Sequence, residues 1–165
     1  MDNLVTRRLI LHPLTAAAAE AVERGCADGP PPGARWAPGY PTAGDRAAVR
    51  RYLEACTGPG GAQPFGPYEI RRRSDGLAIG GVGFHGGPDA TGRVTVGFGL
   101  VRSARGLGYA SEALRALLSL ARSEGVTAVT GDAELDNIGS QRVMTSVGMR
   151  LVASGYRLRH YRLEW

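Results

Sequence analysis

The chain has 165 residues, 43% of them hydrophobic, and no apolar run long enough to span a membrane. Its length predicts one domain over residues 1–165, and the absence of a secretion signal leads us to expect a cytoplasmic protein with free thiols at Cys26 and Cys56. Arginine alone carries the net charge of +5, since lysine is absent. Because the arginines are scattered and not interleaved with aromatic residues, we expect no nucleic-acid partner. The lack of a long apolar run leads us to expect no membrane partner, and the spacing of the two cysteines leads us to expect no metal site.

The N-terminal region predicts a strand followed by a helix. Residues 4–11 form the strand pattern, which Pro13 ends. Thr15 is placed to cap an alanine-rich helix that closes at Gly25. The proline-rich residues 28–43 exclude regular structure.

In the middle of the chain, the spacing of the apolar residues changes from a helical to an alternating pattern. Residues 45–56 predict a second helix, and a glycine-rich loop lies at 58–61. Alternating patterns then predict three strands joined by tight turns, over residues 68–73, 77–85 and 93–101.

An amphipathic helix is the clearest element of the second half. Apolar residues at helical spacing predict one buried face, formed by Ala110, Ala113, Leu114, Leu117, Leu118 and Ala121. The remaining elements are a strand over 126–134, a helix capped by Asp136 or Asn137 and ended by Gly148, and strands over 149–153 and 156–163. This order predicts an α/β fold in which about seven strands form a mixed sheet with helices on its faces.

A glycine-rich turn leads into that amphipathic helix and predicts an anion site. It reads Arg105-Gly106-Leu107-Gly108-Tyr109-Ala110. The first N–H groups of a helix lack helical acceptors, and glycines without a Cβ let phosphates approach the backbone. A dinucleotide fold needs a third glycine where Ser111 stands, and an NTPase phosphate loop needs a lysine, so both are disfavoured. A purely structural turn stays open.

The same turn resembles the Q/R-x-x-G-x-G/A signature of the GCN5-related N-acetyltransferases (GNAT), with Arg105, Gly108 and Ala110 on its fixed positions. Similarity to the RimJ/RimL-type branch covers nearly the whole chain and is weakest over residues 26–67. Its further matches are Arg8-Leu9, Ile79-Gly80, Gly83-Phe84-His85-Gly86, Asn137-Ile138-Gly139-Ser140-Gln141-Arg142-Val143 and Val147-Gly148. The resemblance implies a GNAT fold of about four helices, with a mostly antiparallel sheet splayed between predicted strands four and five.

The resemblance also implies acetyl-CoA as the cofactor and coenzyme A as its product. The pantetheine arm is expected between residues 98–102 and 129–134, where backbone groups of Leu100 and Arg102 pair with its amides. Backbone N–H groups of residues 105–110 are expected to bind the pyrophosphate, and Asn137 and Ser140 to contact the pantetheine arm or the thioester. Helix capping is the alternative role of Asn137, and one residue can fill both.

The implied chemistry is direct attack of an amine on the acetyl thioester. A bulge in the splayed strand is expected to free a backbone N–H near Leu100 or Val101 as the oxyanion donor. A route through an acetylated cysteine is disfavoured, because Cys26 and Cys56 lie in the N-terminal helices without an obvious base.

The chain departs from its relatives at the usual catalytic positions. Met144 stands where many acetyltransferases have a tyrosine, and Thr95 and Gly99 stand where RimJ/RimL-type sequences often carry Glu and Trp. The candidate replacements are Glu134 and Asp132 as base or attractor of a cationic substrate, His85 as a base, and Ser140 as the thiolate's proton donor. Solvated strand-end charge is the alternative for both carboxylates, and turn packing is the alternative for His85.

The sequence leaves the acceptor open between a protein N-terminal amine and the amine of a small metabolite or antibiotic. Trp36 and Tyr40 could wall the acceptor site over the floor left open by Gly99, or Trp36 could simply anchor its loop. The positive net charge weighs mildly against highly cationic acceptors. A homodimer is compatible with the pattern. The alternative function is a non-catalytic acyl-CoA-binding or sensor domain, because the usual Glu, Trp and Tyr are missing.

Overall fold

In the computed structural model, which describes residues 2–55 and 63–165, eight strands form one sheet in the order β1-β2-β3-β4-β5-β6-β8-β7. The strands are β1 (Leu4–Val5), β2 (Leu9–Pro13), β3 (Pro67–Arg72), β4 (Ala78–Phe84), β5 (Arg93–Leu100), β6 (Ala128–Glu134), β7 (Arg150–Ser154) and β8 (Leu158–Glu164). The helices over these ranges are α1 (Ala16–Arg24), α2 (Ala43–Ala55), α3 (Tyr109–Ser123) and α4 (Ile138–Ser146), with 3-10 turns at Gly25–Ala27 and Arg102–Ala104. The predicted mixed sheet and its helices are confirmed.

The additional strand comes from the N-terminus, where the prediction of one strand over residues 4–11 is wrong. The chain folds back there as a hairpin, and β1 pairs antiparallel with β2. The Thr6 N–H donates to the Leu9 carbonyl at 2.9 Å, which closes the turn between them. The Thr6 hydroxyl and the Arg8 N–H both donate to the Glu112 carboxylate of α3, at 2.6 and 2.8 Å. These bonds from a distant helix favour the turn over a continuous strand.

The sheet splits between β5 and β6, its one parallel pair of neighbouring strands among the described residues. Pairing covers only Arg93–Thr95 against Ala128–Thr130, and the hydroxyls of Thr95 and Thr130 lie 3.0 Å apart at the last pair. Beyond this point β5 runs on to Leu100 and β6 to Glu134. The predicted splay is therefore confirmed.

The helices cover both faces of the sheet. A Cβ on Gly81 would lie 2.6 Å from Oδ1 of Asp45, which places α2 over that face, and α1 packs against α2. A Cβ on Gly131 would lie 2.9 Å from the Met144 sulfur, which places α4 over the other face, beside α3. The strand registers and the two-residue period put these glycines on opposite faces. We call these the α1/α2 face and the α3/α4 face.

The predicted apolar stripe of α3 is fully confirmed. Each of its six residues is at most 9% exposed, and Leu114 and Leu117 are completely buried. Burying a leucine side chain contributes about 1.5–3 kcal/mol, so this stripe fixes α3 firmly against the sheet.

The predicted helix caps of α1 and α4 are confirmed as well. Thr15 accepts a hydrogen bond from the Ala18 N–H, and Gly25 ends α1 at a φ of 71°. Asn137 caps α4 by accepting from the Ser140 N–H at 3.1 Å. The Asn137 cap fixes where α4 begins, next to the split in the sheet.

The proline-rich segment forms no helix and makes one short sheet contact. Trp36 forms a parallel bridge with Ala78 at the start of β4. Cys56 and the predicted loop 58–61 lie outside the described residues. Across the described ranges, no helix combines the length and the apolar character needed to cross a membrane.

Candidate functional site

A cavity of about 960 Å³ lies where β5 and β6 diverge. Its walls are the end of β5, the turn after it, the first turn of α3, and residues between 134 and 146. Most of the predicted cofactor-binding residues line it: Leu100, Arg105, Gly106, Gly108, Tyr109, Ala110, Asn137 and Ser140. A cavity of this size can hold a large elongated ligand. We call it the first cavity.

The glycine turn, residues 105–110, has the geometry of an anion site. Gly106 and Gly108 have φ values of 77° and 83°, which favour glycine. A Cβ on Gly106 would meet nothing within 4 Å, so a ligand can approach the backbone there. The Glu112 N–H donates to the Gly108 carbonyl at 3.1 Å as α3 begins. The N–H groups of residues 108–111 therefore have no acceptor in the helix and are available to phosphate oxygens.

Three predicted cofactor-binding residues do not line this cavity, namely Val101, Arg102 and Leu107. Val101 is buried, and its N–H donates to the Ile79 carbonyl at 2.8 Å. Arg102 starts the 3-10 turn that leads the chain away from β5, and the Leu107 side chain is exposed. The Arg105 N–H also has a partner, the Arg102 carbonyl at 3.2 Å. The N–H groups of this turn that are available to an anion therefore begin after Arg105.

The N–H of Leu100 faces the gap between β5 and β6. The His85 N–H donates to the Thr95 carbonyl, and the Val101 N–H to the Ile79 carbonyl, each at 2.8 Å. Every second residue of β5 from Thr95 to Val101 thus hydrogen-bonds to β4 through its backbone. Leu100 lies between two such residues, so its N–H points the other way, towards β6. Of the two predicted oxyanion donors, Leu100 is the one whose N–H faces the cavity.

The predicted bulge in β5 is wrong. The register of β5 against β4 runs without a shift from Val96, opposite Phe84, to Leu100, opposite Gly80. It is the divergence of β6 that frees the Leu100 N–H. The carbonyl of Leu100 already accepts from Nε of Arg105 at 3.1 Å, so it is less available to a ligand amide.

Arg8 holds the glycine turn from outside. Its Nε donates to Glu112 at 2.7 Å, its Nη1 donates to the Leu107 carbonyl at 2.8 Å, and its guanidinium lies 4.4 Å from the centre of the Tyr109 ring. Partial burial raises the pKa of the Glu112 carboxyl, but hydrogen bonds from Thr6 and Arg8 outweigh this and hold the pKa below its ordinary value. Glu112 therefore stays ionised and fixes both the N-terminal hairpin and Arg8 on α3.

A second cavity, of about 510 Å³, lies on the α1/α2 face. Its walls include residues of α1, α2 and β3–β6, and it shares Phe98, Gly99 and Glu134 with the first cavity. A Cβ on Gly99 would meet nothing within 4 Å, which confirms the open floor expected at this position. Molecules in the two cavities would meet at these three residues.

The candidate catalytic residues lie around this junction. Glu134 lines both cavities, Asp132 and His85 line the second, and Ser140 lines the first. Partial desolvation of the imidazole, which is still exposed at the cavity surface, lowers the pKa of His85; the nearby Arg51 lowers it further and Asp132 raises it in part. The imidazole of His85 is therefore neutral near neutral pH and able to accept a proton. Asp132 is already paired, with Nδ1 of His160 at 2.5 Å.

The three departures from the relatives' pattern have clear structural positions. Met144 is fully buried against Gly131 and offers no proton. The Thr95 hydroxyl is held by Thr130 at the last paired rung of β5 and β6. Gly99 faces the open junction.

Several residues of the site escaped the sequence analysis. Gln141 is 6% exposed, and its amide nitrogen donates to the carbonyls of Glu134 and Leu135 at 2.9 and 3.1 Å, which ties the end of β6 to α4. Arg142 lines the first cavity from α4, and Asp45 lines the second from α2. Gln141 and Arg142 stand in the stretch from Asn137 to Val143 that matches the family, whereas Asp45 is marked in the sequence only as the start of a predicted helix.

The aromatic pair of the proline-rich segment divides between the two expected roles. Tyr40 is 3% exposed and lines the second cavity. Trp36 packs edge-on against Tyr40, with ring centroids 5.6 Å apart, and bridges to Ala78. Trp36 thus anchors its loop, and Tyr40 forms the wall.

Comparisons with known proteins agree with this geometry. A family model for the acetyltransferase (GNAT) domain matches residues 8–150. YjdG of Bacillus subtilis, an uncharacterised N-acetyltransferase, is 31% identical over 115 residues, which are 69% of this chain and 68% of that protein.

Solved structures share the fold along the whole chain. RimL, a ribosomal L7/L12 α-N-protein acetyltransferase in complex with coenzyme A, matches with a TM-score of 0.69 and 17% identity, over 99% of this chain and 98% of its own. An acetyltransferase from Agrobacterium tumefaciens matches with a TM-score of 0.68 and 22% identity, over 100% and 95%. The chain therefore belongs to the GNAT family of acetyl-CoA-dependent N-acetyltransferases.

Proposed function

We propose that this acetyltransferase acts on a primary amine, which attacks acetyl-CoA directly while both molecules are bound. The observation that supports this most is the meeting of the two cavities at Phe98, Gly99 and Glu134. Acetyl-CoA would occupy the first cavity, with its pyrophosphate at the glycine turn, and the amine would occupy the second. Proximity of this kind supplies much of the rate of a two-substrate reaction.

The residues at the junction suggest how charge and protons move. The amine nitrogen bonds to the acetyl carbon, the carbon–sulfur bond breaks, and its electron pair leaves with the sulfur. The Leu100 N–H is placed to stabilise the carbonyl oxygen as it gains negative charge. Glu134 takes the amine's proton through a water molecule, and the Ser140 hydroxyl donates to the departing sulfur.

His85 and Asp132 have secondary roles in this proposal. His85 is the alternative base, because its lowered pKa keeps it neutral. Asp132 attracts a cationic acceptor towards the cavity, and its pairing with His160 makes it a weaker candidate for the base. Asn137 contacts the pantetheine arm while it caps α4.

A thiol-release assay with acetyl-CoA and a panel of small amines and peptides tests the function. Coenzyme A release that depends on an amine, with intersecting initial-velocity lines, is the expected result. Parallel lines would instead indicate an acetylated enzyme. Tight acetyl-CoA binding without turnover on any acceptor would favour the non-catalytic sensor.

The assignment of the base has its own test. Glu134→Gln is expected to reduce kcat by about 100-fold or more, as is usual for loss of a general base, while acetyl-CoA binding persists. A neutral effect of Glu134→Gln, together with a large effect of His85→Gln, would transfer the role to His85. We place the enzyme in the cytoplasm without a nucleic-acid partner, and steep salt-dependent affinity for DNA or RNA would contradict this.

A further inference from the structure

The second cavity is acidic, although the whole chain carries a net positive charge. Its charged or titratable lining includes three carboxylates, one guanidinium and one imidazole, from Asp45, Asp132, Glu134, Arg51 and His85. The imidazole is neutral near neutral pH because partial desolvation and the nearby Arg51 lower its pKa. A positively charged ligand is therefore better matched to this cavity than an anionic one.

Asp45 is the most deeply buried of these carboxylates, at 7% exposed. One of its oxygens, Oδ2, accepts from the Thr42 N–H and hydroxyl at 2.8 and 2.9 Å, and Thr42 in turn accepts from the Asp45 N–H at 3.2 Å. This reciprocal pair caps the start of α2. The other oxygen, Oδ1, lies over Gly81 on the cavity wall, 2.6 Å from where a Cβ would stand. Capping therefore accounts for only half of the carboxylate.

In the part of the chain that the structure describes, the Asp45 carboxylate forms no ion pair. Its buried neighbour Glu69 is paired with Arg71 at 2.7 Å and accepts from the Tyr40 hydroxyl at 3.2 Å. No arginine or histidine nitrogen lies within 4.0 Å of the Asp45 carboxylate among residues 2–55 and 63–165. Burial raises the pKa of Asp45, Thr42 hydrogen bonds lower it, and Glu69 raises it further. A buried carboxylate without a cation is costly unless a ligand supplies one.

We propose that Asp45 binds a second cationic group of the acceptor, so that the preferred acceptor is a compact amine carrying another ammonium. This inference rests on the proposed function, since it places the reacting amine at Phe98, Gly99 and Glu134 while the second ammonium reaches Oδ1 of Asp45. Gly81 leaves space for that oxygen, and Gly99 leaves space for the chain between the two amines. A neutral group in place of the second ammonium would leave Asp45 unpaired.

The test compares α,ω-diaminoalkanes with n-alkylamines of the same chain length, by steady-state coenzyme A release. For at least one length, kcat/KM is expected to be about tenfold or more higher for the diamine, because a buried charge pair is made only with it. Asp45→Asn is expected to bring kcat/KM for the diamine down to the level of the monoamine. Its side-chain oxygen can still accept from Thr42, so the cap is kept. Glu20→Gln, which neutralises an exposed carboxylate on α1, is the matched control and keeps the diamine preference.

The outcomes separate this inference from the proposed function. Equal kcat/KM for diamines and monoamines at every length would overturn the role of Asp45 while leaving amine acetylation intact. A diamine preference that survives in Asp45→Asn would overturn it as well. Failure to release coenzyme A with any of the amines would contradict the proposed function instead. If Asp45→Asn fails to fold, equal kcat/KM for the two amine series in the wild-type enzyme still overturns the inference.

Discussion

Replacing Arg8 with alanine should weaken acetyl-CoA binding as well as folding, because Arg8 holds the outer side of the glycine turn. The bond to Glu112 is charge-assisted and partly screened, with side chains 39% and 16% exposed, and contributes about 1 kcal/mol. The bond to the Leu107 carbonyl contributes about 1 kcal/mol, and the guanidinium over Tyr109 about 0.5–1 kcal/mol. The free energy of unfolding is thus expected to fall by about 2–3 kcal/mol.

The effect on binding has a separate origin. Without Arg8, the Leu107 carbonyl is free to rotate, and the turn must be ordered when acetyl-CoA binds. We expect the Kd for acetyl-CoA to rise about tenfold, equivalent to about 1.4 kcal/mol. Urea unfolding and titration calorimetry measure the two effects independently. Arg8→Lys keeps the positive charge but lacks the forked guanidinium group. Its stability and its Kd for acetyl-CoA should lie between those of the alanine variant and the wild type.

Arg7→Ala provides the matched control for Arg8→Ala. It removes the same charge one residue away, from a side chain that is exposed. If both variants bind acetyl-CoA equally, only net charge matters and the positioning role is refuted. A large loss of stability in Arg8→Ala with an unchanged Kd would show that these contacts serve the fold alone.

Three further predictions concern the same region. Gly108→Val should abolish acetyl-CoA binding in calorimetry while the circular dichroism stays native. The positive φ at this position costs valine about 1–2 kcal/mol, and the new Cβ would lie 3.2 Å from Arg8. Unchanged affinity would contradict the pyrophosphate site. Glu112 has a lowered folded pKa, so its stabilisation is present above its unfolded pKa and is lost as pH falls through the folded one. The difference in Tm between wild type and Glu112→Gln should therefore shrink in acid, and a constant difference would refute this. Gln141→Ala should cost about 1–3 kcal/mol in urea unfolding and lower kcat, because the carbonyl of Glu134 loses its donor; a silent variant would show that β6 is held elsewhere.

Local features of the fold were predictable because residues close in sequence determine them. The stripe of α3 follows from the spacing of its leucines and alanines alone. The caps at Thr15 and Asn137 need only a hydrogen bond to a residue three positions away. The glycine turn belongs to the same class, because its φ values and free N–H groups are properties of a few adjacent residues.

The features that escaped prediction depend on contacts between distant parts of the chain. The hairpin at Thr6 depends on a carboxylate 106 positions away, at Glu112. The oxyanion donor was expected from a bulge in β5, but the departure of a different strand exposes the Leu100 N–H. Asp45 reads as an ordinary helix-start residue until β4 is packed beneath it. Sequence spacing carries no information on such neighbours.

The split sheet also bears on the order of events during turnover. The first cavity is walled by α3 and α4 and the second by α1 and α2, so the helices of a different face line each of them. They share only the wall formed by Phe98, Gly99 and Glu134. With acetyl-CoA in the first cavity and the amine in the second, as we propose, the two reactants would occupy separate spaces that share only this junction. Two cavities that meet only at one junction suit random rather than compulsory-order kinetics.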